Sequence, residues 1–191
     1  VLPEVTINNV RTLFLLAAAM MLTSCALFHR EPPLPRRAQV EASGTEEEFV
    51  RLVQDADIIY FPSEATTLTS RSDPAWKVLA ALRQGDSSFA VGYDWAGKES
   101  GRREFLGEAS RSGAQTLELN EAGENRDQVA ADKIGTYFRE HRNEKMFVFL
   151  RRERLALGQG VPYLVAQQTK ARQLILNPRR SSSGARLLAR N

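Results

Sequence analysis

The chain has 191 residues, enough for one ordinary domain with appendages and too few for two full-sized ones. Apolar residues make up 42% and charged residues 26%, which excludes a disordered chain, and a net charge of +3 does not by itself imply a nucleic-acid ligand. The single cysteine, Cys25, excludes an internal disulfide and a cysteine zinc site.

Near the start, Arg11 is followed by ten uncharged residues, Leu13 to Leu22, reading LFLLAAAMML. The run is short for a permanent membrane span and suits the apolar region of a signal peptide. Leu22-Thr23-Ser24-Cys25 follows directly and resembles the bacterial lipobox: an aliphatic residue, two small ones, then the cysteine that is acylated. Residues 1–25 are therefore expected to be a lipoprotein signal peptide and lipobox, with Cys25 as the lipidated mature N-terminus. Acyl chains contribute about 0.8 kcal/mol per buried CH₂, so several together hold a protein on a membrane. Ala26 stands where an inner-membrane retention signal would have aspartate, so the outer membrane of the cell envelope is the expected location. The chain opens on Val1, which suggests a non-standard start codon or a longer parent chain. Residues 26–44, with Pro32, Pro33, Pro35, Arg30, Arg36 and Arg37, read as a semi-extended tether.

From Thr45 the pattern alternates. Thr45 and Glu48 form a capping box, with Phe49, Val50, Leu52 and Val53 on one helical face. Ala56 to Phe61 is a strand-type apolar run. Asp73-Pro74 starts a helix carrying Trp76, Leu79, Ala80 and Leu82 at helical spacing, ending at Gly85. Ser88 to Tyr93 predicts a second strand, residues 102–112 a helix, and Gln115 to Leu119 a third strand. Asn125 to His141 predicts a helix with Ala130, Ile134, Tyr137 and Phe138 inward, and Met146 to Leu150 a fully apolar strand. Pro162 opens a short helix, and Gln173 to Leu176 is a fifth strand. Apolar strands separated by helices predict an α/β fold: a mostly parallel sheet of about five strands with helices on both faces, in three layers. The domain is placed at residues 45–178. Residues 179–191, with four arginines and no acid, read as a basic disordered tail.

Ligands of open parallel sheets bind beyond the carboxyl ends of the strands. There the sequence places Glu64 after the first strand, Tyr93-Asp94-Trp95 at the end of the second, and Arg154 after the fourth. Glu64 and Asp94 are candidate catalytic carboxylates, able to hold a metal or share a proton. Arg154 can neutralise them or grip an anion. The competing reading is of ordinary solvated loop charges, and for Tyr60, Phe61, Tyr93 and Trp95 it is plain core and edge packing.

The same segments resemble the ChaN-like haem-binding lipoproteins, grouped with the TraB and Tiki metalloproteases and erythromycin esterases. The resemblance runs through Ala56-Asp57, Ser63-Glu64-Ala65-Thr66, Gly92-Tyr93-Asp94, Arg126-Asp127 and Gly160-Val161-Pro162, in order, over about residues 45–178. It implies an envelope-anchored lipoprotein binding haem or an iron-related ligand through Glu64, Tyr93, Asp94, Trp95 and Arg154. Two departures alter that expectation. Thr66 and Arg154 stand where the family has histidines, and the stretch between Asp94 and Arg126 is short. The histidines present, His29 and His141, neighbour no motif. A guanidinium in place of an imidazole donor opposes binding of a second cation. No metal set is therefore assigned, haem is the cofactor to test, and a non-catalytic binder is expected ahead of a residual hydrolase using Glu64 and Asp94. A third reading is an envelope interaction protein without a small ligand. Expected partners are the membrane, haem or another planar ligand, and a second copy forming a homodimer; nucleic acid is not expected.

Overall fold

The computed structural model describes residues 35–38, 45–66, 68–95, 100–120, 122–156, 158–176, 178–179 and 186–187. Cys25 with the whole leader, His29 and most of the expected tether lie outside them. Among the described residues no helix is long and apolar enough to cross a membrane.

Strand β1 (Arg36–Ala38) precedes helix α1 (Glu46–Asp55). Thr45 caps that helix: its hydroxyl accepts from Glu48 N–H at 3.2 Å, and Glu48 Oε2 accepts from Thr45 N–H at 3.1 Å. Two of the donors left open at a helix start are thereby satisfied. Strand β2 (Ile58–Pro62) runs into a 3₁₀ turn, Ser63–Ala65. Helix α2 (Pro74–Arg83) starts on Asp73, whose Oδ1 accepts from Ala75 N–H at 3.0 Å. Its buried side is Ala75, Trp76, Val78, Leu79, Ala81 and Leu82. Ala80, expected inward, is exposed. Strand β3 (Phe89–Tyr93), helix α3 (Ser100–Arg111), strand β4 (Gln115–Glu118) and helix α4 (Arg126–Glu140) follow. Strand β5 (Lys145–Leu150) leads through a 3₁₀ turn, Arg152–Leu155, to helix α5 (Val161–Gln168) and strand β6 (Gln173–Leu176).

The strands form one six-stranded sheet in the order β1-β6-β2-β5-β3-β4, every pair parallel. The sixth strand comes from within the expected tether. Arg36–Ala38 pair with Leu174–Leu176 at the edge, because an extended segment can satisfy the open hydrogen-bonding side of β6 without a core of its own. Pro178–Arg179 (β7), at the boundary of the expected domain, pair antiparallel with Arg186–Leu187 (β8), which lie inside the segment expected to be a disordered tail.

Alternation along the strands divides the core in two. Ile59, Phe61, Val91, Phe147 and Phe149 face α1, α2 and α3; Ile58, Tyr60, Ala90, Met146 and Val148 face α4 and α5. This is a three-layer α/β fold. All six residues of β5 are buried, and Met146 to Leu150 form a continuous apolar run rather than an alternating one. Phe149 makes edge-on contacts with Phe61, Phe105 and Trp95, at centroid distances of 5.9, 5.3 and 4.7 Å. Each such buried side chain contributes about 1.5–3 kcal/mol relative to exposure.

The connections place the site. Those through α2 and α3 carry the chain from β2 to β3 to β4 on one face, and those through α4 and α5 bring it back to β5 and β6 on the other. Neighbours β3 and β5 therefore leave their carboxyl ends toward opposite faces. That divergence opens the crevice at which doubly wound sheets hold ligands.

Candidate functional site: the crevice between β3 and β5

Asp94 is the first residue past β3, and its N–H donates to Phe149 O at 3.1 Å, extending the ladder by one bond. Its carboxylate turns into the crevice with a side-chain exposure of 1%. Oδ2 accepts from Arg154 Nη1 at 3.0 Å and from the backbone N–H of Arg151 at 3.1 Å. Oδ1 is buried and has no partner among the described residues.

Arg154 sits in the 3₁₀ turn after β5, also 2% exposed, and uses all three nitrogens. Nη1 meets Asp94, Nε donates to Asp127 Oδ1 at 2.7 Å, and Nη2 donates to Arg126 O at 2.9 Å. Asp127 lies in the first turn of α4, where a carboxylate is favoured by the helix dipole. One guanidinium thus joins the end of β3, the start of α4 and the loop after β5. Its fork of fixed donors suits two carboxylates and a carbonyl, a geometry a lysine would not reproduce.

Gly160 explains why that loop is so tight. A Cβ there would lie 2.4 Å from Arg154 O and 2.7 Å from Ala156 O, both backbone atoms. Gly160 is thus a steric requirement of the Arg154 turn.

Glu64 approaches the same loop from the other side of β5. It accepts the Arg152 N–H on both oxygens, at 3.2 and 3.1 Å. The exit from β5 is therefore held by two carboxylates, Asp94 on Arg151 and Glu64 on Arg152. The structure brings Asp94 and Arg154 into direct contact and places Glu64 at the same sheet edge. Arg154 bridges Asp94 to Asp127, and no Arg154–Glu64 ion pair is found among the described residues.

Thr66, where the resemblance leads one to expect a histidine, turns away from the crevice. Its hydroxyl bonds Asp73, the cap of α2, and accepts from Leu68 N–H at 3.1 Å. Leu68 adopts a left-handed φ of 58°, a strained conformation for a branched side chain, within the loop that this hydroxyl organises. Trp76 Nε1 donates to Leu68 O at 3.3 Å, and Arg71 lies 4.0 Å over the Trp76 ring.

Of the four aromatics, Tyr60, Phe61 and Trp95 are buried and Tyr93 is half-buried. Tyr60 and Phe61 are fully buried and face opposite sides of the sheet. Tyr60 Oη donates to Gln173 Oε1 at 2.8 Å, and burial pushes its phenol well above the ordinary tyrosine range. These two therefore pack the core and do not line a ligand slot. Trp95, 7% exposed, stacks on half-buried Tyr93 at 5.2 Å, while the Arg102 guanidinium stands 5.3 Å from the Trp95 ring. His141 stacks on Tyr137 at 4.1 Å, at the far end of α4 from Asp127.

No group of three or more His, Cys, Asp or Glu among the described residues is arranged to hold a metal ion. The donor set does not fit a metal of the family type, because the cation between Asp94 and Asp127 is Arg154 itself. Two surface depressions of about 440 and 430 Å³ lie elsewhere, one beside Glu46, Val50 and Gln84, the other along α4.

Asp127 and the backbone N–H groups of Arg151 and Arg152 were not singled out as site groups in the sequence. Asp127 carried a signal, since an acid in the first turn of a helix that opens at the strands' carboxyl edge faces the crevice. The backbone donors carried none. Comparison of the chain with protein-family models, curated proteins and solved structures finds no match.

Proposed function

We propose that this protein is a non-catalytic, ChaN-like lipoprotein of the cell envelope, anchored through acylated Cys25. The observation carrying the non-catalytic part is the Asp94–Arg154–Asp127 bridge at the switch point. A hydrolytic site needs a carboxylate with capacity left to bind a metal or take a proton from water. Asp94 has its charge met by a buried guanidinium, and Glu64 directs both oxygens to one backbone N–H. The arrangement supports the β5 exit loop rather than a reacting group.

Ligand binding then belongs to the carboxyl rim of β3, where half-buried Tyr93 stacks on the buried Trp95 indole and the Arg102 guanidinium stands beside that ring, a combination suited to a planar anionic ligand such as haem. Titrating the full chain with haemin tests this directly. A shifted Soret band, lost in Tyr93→Phe, supports haem ligation at this rim; an unshifted band in the wild-type chain overturns the haem assignment. The anchor is tested separately: Cys25→Ser should move the protein from the membrane to the soluble fraction. The non-catalytic reading fails if the purified chain shows metal-dependent hydrolysis that Glu64→Ala abolishes.

A further inference from the structure

Charge is distributed unevenly over the helices. Arg71, the cap Asp73 and helices α2 and α3 together hold six basic residues, five of them arginine, against three acidic ones. Helices α4 and α5 hold three of each and balance. Helix α1 holds four acids against one arginine. It packs on one flank of α2, where Gln54 Nε2 donates to Ala81 O at 2.5 Å, while α3 packs on the other, with Trp76 and Phe105 at 4.8 Å. The positive end of this layer is therefore α3.

Three of the arginines meet at one carboxylate. Arg83 Nη1 lies 2.8 Å from Glu108 Oε1, while Arg111 Nη2 and Arg71 Nη2 lie 2.5 and 3.8 Å from Oε2. Arg71 also meets Glu104 at 3.2 Å and stands over the Trp76 ring. Glu108 is 16% exposed, whereas Arg83, Arg71 and Arg111 are 43%, 59% and 68% exposed. The carboxylate thus sits beneath the guanidiniums and holds them in place. A guanidinium has five N–H donors, so an ion pair through one nitrogen leaves others for a second anion. Lys77 of α2 and Arg103 of α3 are exposed and have no ion pair among the described residues.

We infer that the outer face of α2 and α3 is a docking surface for an anionic phospholipid membrane. Its cations are spread along two neighbouring helices rather than gathered round a cavity, which suits a plane of phosphates. Four arginines, Arg71, Arg83, Arg103 and Arg111, supply the planar forks that match phosphate oxygens two at a time. Acidic α1 is repelled by the same surface, so the domain meets the lipid with α3 foremost. This contact is separate from the haem reading and uses neither the crevice nor the acyl anchor.

The test uses the full chain carrying Cys25→Ser, so that no acyl chain contributes. It is mixed with vesicles of phosphatidylglycerol and phosphatidylcholine, or of phosphatidylcholine alone. Co-sedimentation at about 0.1 M salt, where charges act over about 10 Å, should show tighter binding to the anionic vesicles. Lys77→Glu with Arg103→Glu should weaken that binding by at least about tenfold. Far-ultraviolet circular dichroism and Tm should stay unchanged, because both side chains are exposed. Arg142→Glu with Lys170→Glu makes the same change of net charge in the exposed loops ahead of β5 and β6. That pair should weaken binding by less than about threefold, since those charges lie away from the lipid. Glu104→Gln, which releases Arg71, should strengthen binding by about fivefold. A chain that binds both kinds of vesicle equally overturns the proposal. So do equal losses in the two double variants, which would report net charge alone. Anionic binding that ignores Lys77→Glu with Arg103→Glu belongs to the leader or the basic tail, and also overturns it. Binding of inorganic polyphosphate without binding of anionic vesicles assigns the face to a soluble polyanion and does the same.

Discussion

Arg154 takes a permanent charge into a space with almost no solvent, and Asp94 does the same with the opposite sign. Such a pair is costly to break from one side, because the remaining charge keeps its desolvation penalty without its partner. Arg154→Met should therefore destabilise the domain by about 3–5 kcal/mol in urea denaturation. Adding Asp94→Asn should recover a large part of that loss. If the double variant is less stable than the single by the full cost of a second independent change, the two side chains are not coupled as described. Gly160→Ala should lower stability by about 1–3 kcal/mol, since its methyl meets carbonyl oxygens that cannot rotate away. The same melts check it. At this scale the residues were visible in the sequence but their roles were not. That Glu64, Asp94 and Arg154 would lie near one edge followed from strand order along the chain. That Arg154 would choose Asp127 over Glu64 depends on where α4 begins in space.

Helix ends and helix contacts supply the next set of forces. The carboxyl end of α1 is closed by Lys145 of β5, whose Nζ donates to Gln54 O at 2.5 Å and Ala56 O at 2.7 Å. Burial draws the Lys145 ammonium below the usual lysine range, against the opposing pull of Asp57. Lys145→Met should leave those carbonyls unpaired and cost about 1–3 kcal/mol, read as a shift in the urea midpoint. Helices α2 and α3 are joined through Glu108. Hydrogen bonds from Arg111 first, then from Arg83, hold its carboxyl at a pKa of about 2. Because this folded-state pKa lies below the unfolded value near 4.5, the contribution is fully present above pH 4.5. It is lost as pH falls toward 2. The Tm difference between wild type and Glu108→Gln should accordingly be constant from pH 7 to 5 and shrink between pH 4 and 2. Two helices were legible from their caps: Thr45 with Glu48, and Asp73 with Pro74, act over three residues and need no tertiary partner. The strand at Arg36–Ala38 was not, because three residues of a proline-rich stretch pair only when a sheet edge is offered to them.

For the whole molecule, the order β1-β6-β2-β5-β3-β4 sets which parts are secured from both sides. Amide exchange should be slowest in β5 and β2 and faster at the edge strands β1 and β4. Equal protection of central and edge strands would contradict this layering. The sequence by itself determined the α/β class, five of the six strands of the sheet, the helix starts and the expectation of a lipid anchor at Cys25. Those depend on periodicity, capping and short motifs, which are local along the chain. Only the tertiary structure decided that the crevice between β3 and β5 is bridged by Asp94, Arg154 and Asp127. It also decided that Tyr60, Phe61 and Trp95 are buried while Tyr93 stays half-buried, and that β1 from the expected tether completes the sheet. Each of these depends on which distant segments become neighbours. That is governed by burying both faces of one parallel sheet, a requirement of the whole chain and of no single stretch.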